Sequence, residues 1–184
     1  RPERQASILR AAGTAFARTG YAATSMEDVA AEAGVTKLIL YRHFESKEEL
    51  YRAVLERVSS RLGDEFVTGL TEGRPGFVVR THLDVAREDP DGYRLLWVHA
   101  AREPQFAEYV HAFHEGAAEA ADDLVGRTIR DRTFRRWATH ALVAMIVEAV
   151  LAWLDHGAVH RDDEFVERTT AGMRALVQAL ATRR

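Results

Sequence analysis

The residues best suited to chemistry in this chain lie in the run Val-Thr-Lys-Leu-Ile-Leu-Tyr-Arg-His-Phe-Glu-Ser-Lys-Glu-Glu-Leu, from Val35 to Leu50. Thr36, Lys37, Tyr41, His43 and Lys47 gather hydroxyls, ammonium groups and an imidazole in a short stretch. Their chemistry is that of contact, through hydrogen bonds and ion pairs to phosphate oxygens and base edges. Thr24 and Ser25 add hydroxyls just upstream, which serve equally as helix caps.

A second cluster, Glu108-Tyr109-Val110-His111-Ala112-Phe113-His114-Glu115, offers a different chemistry. Glu108 and His111 have the Glu-x-x-His spacing of carboxylate-bridged metal sites in helical bundles, and His111 and Glu115 lie one turn apart. Such sites need a second Glu-x-x-His, and no second copy is found. The alternative is a pair of partly exposed histidines beside an apolar stripe. The chain has no cysteine, so disulfides and thiolate metal sites are excluded. It shows no Gly-rich phosphate loop and no nucleophile motif. Neither an enzyme nor a cofactor nor a bound metal is expected.

The first cluster needs elements to position it, and local signals supply them. Ile8, Ala12, Ala15 and Phe16 have helical spacing, which predicts helix 1 from about Glu3 to Arg18, stopping at Gly20. Ser25 caps helix 2, with Asp28 three residues on in a capping-box position. Helix 2 ends at Ala33-Gly34, where Gly34 can take the left-handed conformation. Thr36 caps helix 3, expected over Thr36 to Phe44, with Leu40 and Phe44 as its anchors. Two helices joined so tightly form a helix-turn-helix, which places its second helix in the major groove of DNA. Ser46 caps helix 4, which carries Leu50, Val54, Val58 and Leu62 along one side.

A joint is expected at Gly69, Gly73, Pro75 and Gly76, and helix 5 runs from about Pro75 to Arg87. Asp89-Pro90-Asp91-Gly92 reads as a turn. Helix 6 carries Tyr93, Leu96, Trp97 and Ala100; helix 7 starts at Glu103-Pro104 with a stripe of Phe106, Val110, Phe113, Ala117 and Leu124. Helix 8 runs from near Arg132 to Gly157, and helix 9 from Asp162-Asp163 to the end. Few prolines and scarce β-branched runs make the chain all-α.

Charge and composition fit this reading without proving it. The 184 residues are 47% apolar and 29% charged, with a formal net charge of -3. Both lysines, together with Arg42, Arg52, Arg57 and Arg61, fall between residues 36 and 61. No secretory signal is recognisable. The apolar run from Ala141 to Leu154, broken only by Glu148, is too short and too charged to span a bilayer. It is apolar around nearly its whole circumference, which predicts burial on all sides. A second subunit could cover one of those sides, with helix 9 contributing its small residues Ala171, Gly172, Ala175 and Ala179 to a four-helix interface. A purely internal helix is the alternative.

Residues 4 to 50 resemble the N-terminal domain of the TetR family of transcriptional regulators. The matching residues include Ile8, Phe16, Gly20, Tyr21, Thr24, Ser25, Gly34, Val35, Leu40, Tyr41, His43, Phe44, Lys47 and Leu50. The resemblance implies a nine-helix homodimer in the cytoplasm, away from membranes. It implies residues 1–47 as a helix-turn-helix DNA-binding domain and 48–184 as an effector-binding and dimerisation domain. The partners implied are a palindromic double-stranded operator and a small-molecule effector that releases the DNA, as in a repressor. A regulator of the same kind without an effector is the alternative.

On this reading Thr24, Ser25, Thr36, Lys37, Leu38, Tyr41, His43 and Lys47 contact DNA. Leu38 departs from the family, which usually has Gly, Pro or Ala there. It could touch a thymine methyl or only stabilise its helix. Leu83, Tyr93, Trp97, Phe106, Val110, Phe113, Trp137, Met145 and Trp153 are the candidates for a mostly apolar effector cavity. Plain core packing is their alternative.

Overall fold

The structure, a computed structural model, describes residues 2–181, without the side chains of Pro2, Glu108, Tyr109, Phe113, Asp123 and Leu124. The effector candidate Phe113, the metal candidate Glu108 and Leu124 of the helix 7 stripe therefore have side chains outside the described part. Among the described residues every regular element is helical. They are α1 (Pro2–Ala23), α2 (Met26–Glu32), α3 (Lys37–Tyr41), α4 (Lys47–Glu72), α5 (Phe77–Glu88), α6 (Pro90–Arg94), α7 (Pro104–Gly126), α8 (Arg132–His156) and α9 (Asp162–Ala181). A π-helical turn, Leu95–His99, and a 3-10 turn, Ala100–Arg102, follow α6, and Val159–Arg161 forms a 3-10 turn before α9.

The chain divides into two compact units, the first made of Arg1–Asp64 and Val85–Val110, the second of Glu65–Asp84 and His111–Arg184. In the first, Ile8, Ala12 and Phe16 of α1 are buried, as are Val29, Leu40, Phe44, Leu50 and Val54. The expected apolar side of α4 is buried throughout, at Leu50, Val54, Val58 and Leu62. Thr14 Oγ1 donates to Asp91 Oδ2 at 2.7 Å, which fastens α1 to α6.

α1 does not stop at Gly20 but runs to Ala23 through a kink there, and three further boundaries differ from the sequence reading, each for a local reason. Asp89-Pro90-Asp91-Gly92 is the start of α6 and not a free turn. Asp89 is its N-cap, accepting from the Gly92 amide at 3.0 Å, and Pro90 sits in the first turn, where no amide hydrogen is needed. Gly69 does not end α4, which continues to Glu72. A Cβ at position 69 would lie 2.8 Å from the Phe77 side chain, so this glycine is a point of close approach. The third is α3, which closes at Tyr41, with Arg42 as its C-cap.

In the second unit Asp131 caps α8, accepting from the Thr133 and Phe134 amides at 3.0 and 3.1 Å. Val125, Ile129, Ala138 and Leu142 form a core on which Met145, Met173, Leu176 and Val177 pack half-buried. Trp153 donates its indole N–H to Asp162 at 2.6 Å and stacks on Phe165 with ring centres 4.7 Å apart. By length and composition α8 is able to cross a membrane, contrary to the sequence reading, because the helix extends over 25 residues from Arg132. Seven of those residues, from Ala138 to Val150, are buried inside the chain, as in the core helix of a globular protein.

Burial pulls the His82 imidazole down to about 4, with His114 nearby adding to the effect. Between pH 6.5 and 4 the unfolded chain therefore binds a proton at this position that the folded chain refuses. Stability is fully present above the unfolded value and is lost as the pH falls toward the folded one. The expected loss is about 3–4 kcal/mol at most, because each tenfold change in proton affinity is worth about 1.4 kcal/mol. His82→Gln should flatten thermal melting between pH 6.5 and 4. A wild-type melting temperature independent of pH in that window would contradict it.

Candidate nucleic-acid interface

The DNA-facing candidates are positioned by two caps and a turn. Ser25 and Asp28 form a full capping box: the Asp28 amide donates to Ser25 Oγ at 3.1 Å, and the Ser25 amide donates to Asp28 Oδ2 at 2.8 Å. The Ser25 hydroxyl and amide hold the Asp28 carboxyl below the usual carboxylate range. At the end of α2, Gly34 has a φ of 63°, and the Val35 amide donates back to the Ala30 carbonyl at 3.0 Å. That left-handed residue reverses the chain in the four positions 33–36, where a side chain would be strained. Thr36 Oγ1 then accepts from the Ile39 amide at 3.3 Å and starts α3.

With α3 so placed, its two faces separate cleanly. Leu40 and Phe44 are buried, Ile39 is partly so, and Leu38, Tyr41 and Arg42 are exposed. Lys37 is exposed and paired with Glu27 of α2, its ammonium 5.7 Å from the Tyr41 ring centre. The hydrogen bond lowers the Glu27 carboxyl and raises the Lys37 ammonium relative to their ordinary values. An exposed pair of this kind contributes little to stability, so a phosphate can replace Glu27 at small cost. His43 is partly buried, its ring centre 6.4 Å from that of Phe44.

Two of the predicted contacts turn toward the protein. Thr24 is buried, and its hydroxyl donates to the Gly20 carbonyl at 2.7 Å. It closes the kink at Gly20, where φ is 81°. Lys47 Nζ reaches the carbonyls of Tyr21 at 2.8 Å, Thr24 at 3.0 Å and Ala22 at 3.4 Å, and lies 4.4 Å from the Tyr21 ring centre. An ammonium has three donors, and three carbonyls at the end of α1 take them. Its placement makes it a strut between α4 and the α1–α2 corner. Lys47→Ala is expected to cost about 1.5–3 kcal/mol of stability, the range for hydrogen bonds to a charged group. DNA binding should weaken on every sequence alike. The slope of log affinity against log salt should stay unchanged, whereas loss of a phosphate contact would reduce it by about 1.

Behind this corner lies an aromatic cluster that sequence periodicity did not reveal. Phe106 stacks on Tyr51 with ring centres 4.2 Å apart, and Tyr21 meets both rings edge-on at 5.0 and 5.1 Å. The partners are far apart in sequence, so no local pattern announces them. Phe106, expected in an effector cavity, is thus part of the packing beneath the DNA-binding head. Of the other effector candidates, Tyr93, Trp97 and Val110 are buried in the first unit and Leu83 in the second, where Met145 and Trp153 are partly buried. Trp137 does not line an interior: it is 54% exposed on α8. A cleft of about 260 Å³ in the first unit is lined by Arg57, Arg61, Asp64, Glu88 and Asp89 among others, and by none of the expected effector residues. At the metal candidates, His111 Nε2 and Glu115 Oε1 are 3.9 Å apart. No group of three or more metal-binding side chains occurs among the described residues.

Residues 8–54 match the model of the bacterial regulatory proteins, tetR family. The HTH-type transcriptional activator FasR of Mycolicibacterium smegmatis is 34% identical over 180 residues, covering 92% of this chain and 80% of that protein. The chain belongs to the TetR family. The HTH-type transcriptional repressor KstR2, also from Mycolicibacterium smegmatis, is 29% identical over 158 residues, 71% of this chain and 76% of that protein. A TetR-like regulator from Rhodococcus sp. RHA1 has the same fold, with a TM-score of 0.78 at 20% identity over 98% of this chain and 94% of that one. TetR-family proteins are cytoplasmic, DNA-binding transcriptional regulators that respond to ligands, and the family is not catalytic. The all-α architecture, with an N-terminal helix-turn-helix bundle and a C-terminal helical region, is that of the family.

Proposed function

We propose that this TetR-family regulator binds a palindromic operator as a homodimer and is released by a small, mostly apolar effector, acting as a repressor. Residues 1–47 would carry DNA binding, and 48–184 effector uptake and dimerisation, away from any membrane. The observation that carries the reading is the outward face of α3, where Leu38, Tyr41 and Arg42 stand exposed beside Lys37 while Leu40 and Phe44 anchor the helix. Thr36, His43 and Ser25 flank that face, and Thr24 and Lys47 hold its edge in place. The half-buried apolar residues Met145, Met173, Leu176 and Val177 support a second copy on α8 and α9. Effector control requires differential affinity: the ligand must favour a state whose two heads no longer match successive grooves. The lever is α4, one unbroken helix of 26 residues whose first turns hold the head through Lys47 and Tyr51.

FasR carries the name of an activator, which favours activation as the second reading of the regulatory sign. Selection from random-sequence duplexes with the purified chain tests the core of the proposal. The expected product is an inverted repeat with half-sites about 34 Å apart, bound more weakly as salt rises. Absence of any sequence preference would overturn it. A reporter driven through the selected site separates repression from activation.

A further inference from the structure

We infer that Leu38 reads the 5-methyl group of a thymine in each operator half-site. This rests on the reading of α3 as the groove-facing helix and adds the base chemistry that the helix recognises. Leu38 is 65% exposed, beyond Tyr41 at 43%, and these two are the large apolar side chains that the first compact unit exposes among its described residues. The helix is anchored without it, because Leu40 and Phe44 are buried on the opposite side. Leu38, Tyr41 and Arg42 lie three and four positions apart and so share one face. Lys37 and Arg42 on either side are cations suited to phosphate or to an acceptor edge, but an isobutyl group can accept or donate nothing.

A single exposed leucine elsewhere on a protein surface would need no explanation. On the face that enters a groove it matters, because it desolvates whatever base edge it covers. Covering an amino group or a carbonyl strips away water and returns no hydrogen bond. The major groove offers an apolar partner in the thymine C5 methyl, while cytosine presents its N4 amino donor. Leu38 therefore gains at a thymine and loses at a cytosine.

The test uses the full chain, the operator obtained by random-sequence selection, and copies in which each thymine is replaced in turn by deoxyuridine. Deoxyuridine removes the methyl and leaves every hydrogen-bonding group in place. One position per half-site is expected to respond, by about fourfold for one half-site and about fifteenfold for both, from the transfer of one methyl-sized group. In Leu38→Ala, which keeps a good helix former at position 38, the response at that position should vanish, and Leu38→Met should restore it. A deoxyuridine effect of the same size in Leu38→Ala would assign the methyl to another residue and overturn the inference. Specific binding with no deoxyuridine effect would overturn it too, as expected if Leu38 faced a protein partner. Loss of all sequence preference in the wild type would instead fail the DNA-binding reading itself.

Discussion

Replacing Leu40 by alanine is expected to weaken operator binding severely while leaving most of the helical content intact. Leu40 is fully buried and is the inward anchor of a helix only five residues long. So short a helix has no stability of its own and depends on packing. Removing a buried leucine side chain costs about 2–5 kcal/mol, and Leu40 shows no exposure at all, so its site is fully enclosed. That loss falls on the head, so the binding-competent fraction drops and apparent affinity drops with it. A decrease of up to about a hundredfold is expected, from about 3 kcal/mol at 1.4 kcal/mol per factor of ten. Circular dichroism and amide exchange across 26–50 would check it. Leu38→Ala is the control: it changes an exposed neighbour and should alter stability by no more than about 0.5 kcal/mol. A Leu40→Ala protein with wild-type melting and binding would show that α3 is held by something else.

The second large effect is expected at Gly172, where glutamate should give a folded monomer. Gly172 is exposed on α9, and beyond its chain neighbours and the local helix backbone nothing lies within 4 Å of where a Cβ would sit. Ala171, Ala175 and Ala179 beside it are also exposed. The chain alone can therefore accept the larger residue, and only a second copy packed on this face would refuse it. Two carboxylates brought together across a two-fold axis would add like-charge repulsion. Light scattering should report a single 20.7 kDa chain. Operator affinity should fall by about 10²–10⁴, the gain that linking two half-site contacts provides. Val150 cannot serve this purpose despite its place in the same apolar stretch, because it is fully buried inside its own chain. A charge there would unfold the protein whatever its oligomeric state. A Gly172→Glu protein that dimerises like the wild type would place the interface elsewhere.

The head is the most legible part of the chain. Ser25 with Asp28, Gly34, and Thr36 each act within three or four residues, and the structure places a capping box, a left-handed turn and an N-cap at those positions. The alternation of Leu38 outside and Leu40 inside follows from helical geometry once the start of α3 is fixed. The α6 start is less legible, because Asp-Pro-Asp-Gly is good turn chemistry and equally good capping chemistry. Gly69 is ambiguous for a related reason: a glycine that breaks a helix and one that admits a neighbouring ring look alike until Phe77 is seen beside it.

The caps and the turn of the head, the all-α class and the family are legible in the residues alone, because caps, glycine turns and apolar periodicity act through bonded neighbours. Which polar and aromatic groups meet depends on packing between distant segments. Thr24 reads as a surface hydroxyl, yet it closes a kink at Gly20. Lys47 reads as a cation for phosphate, yet it binds three carbonyls more than twenty residues upstream. Phe106 reads as a cavity wall, yet it stacks on Tyr51 beneath the DNA-binding head. In each case the deciding partner is distant along the chain or hidden by packing, and a side chain's periodicity fixes the face it lies on but not the group waiting there.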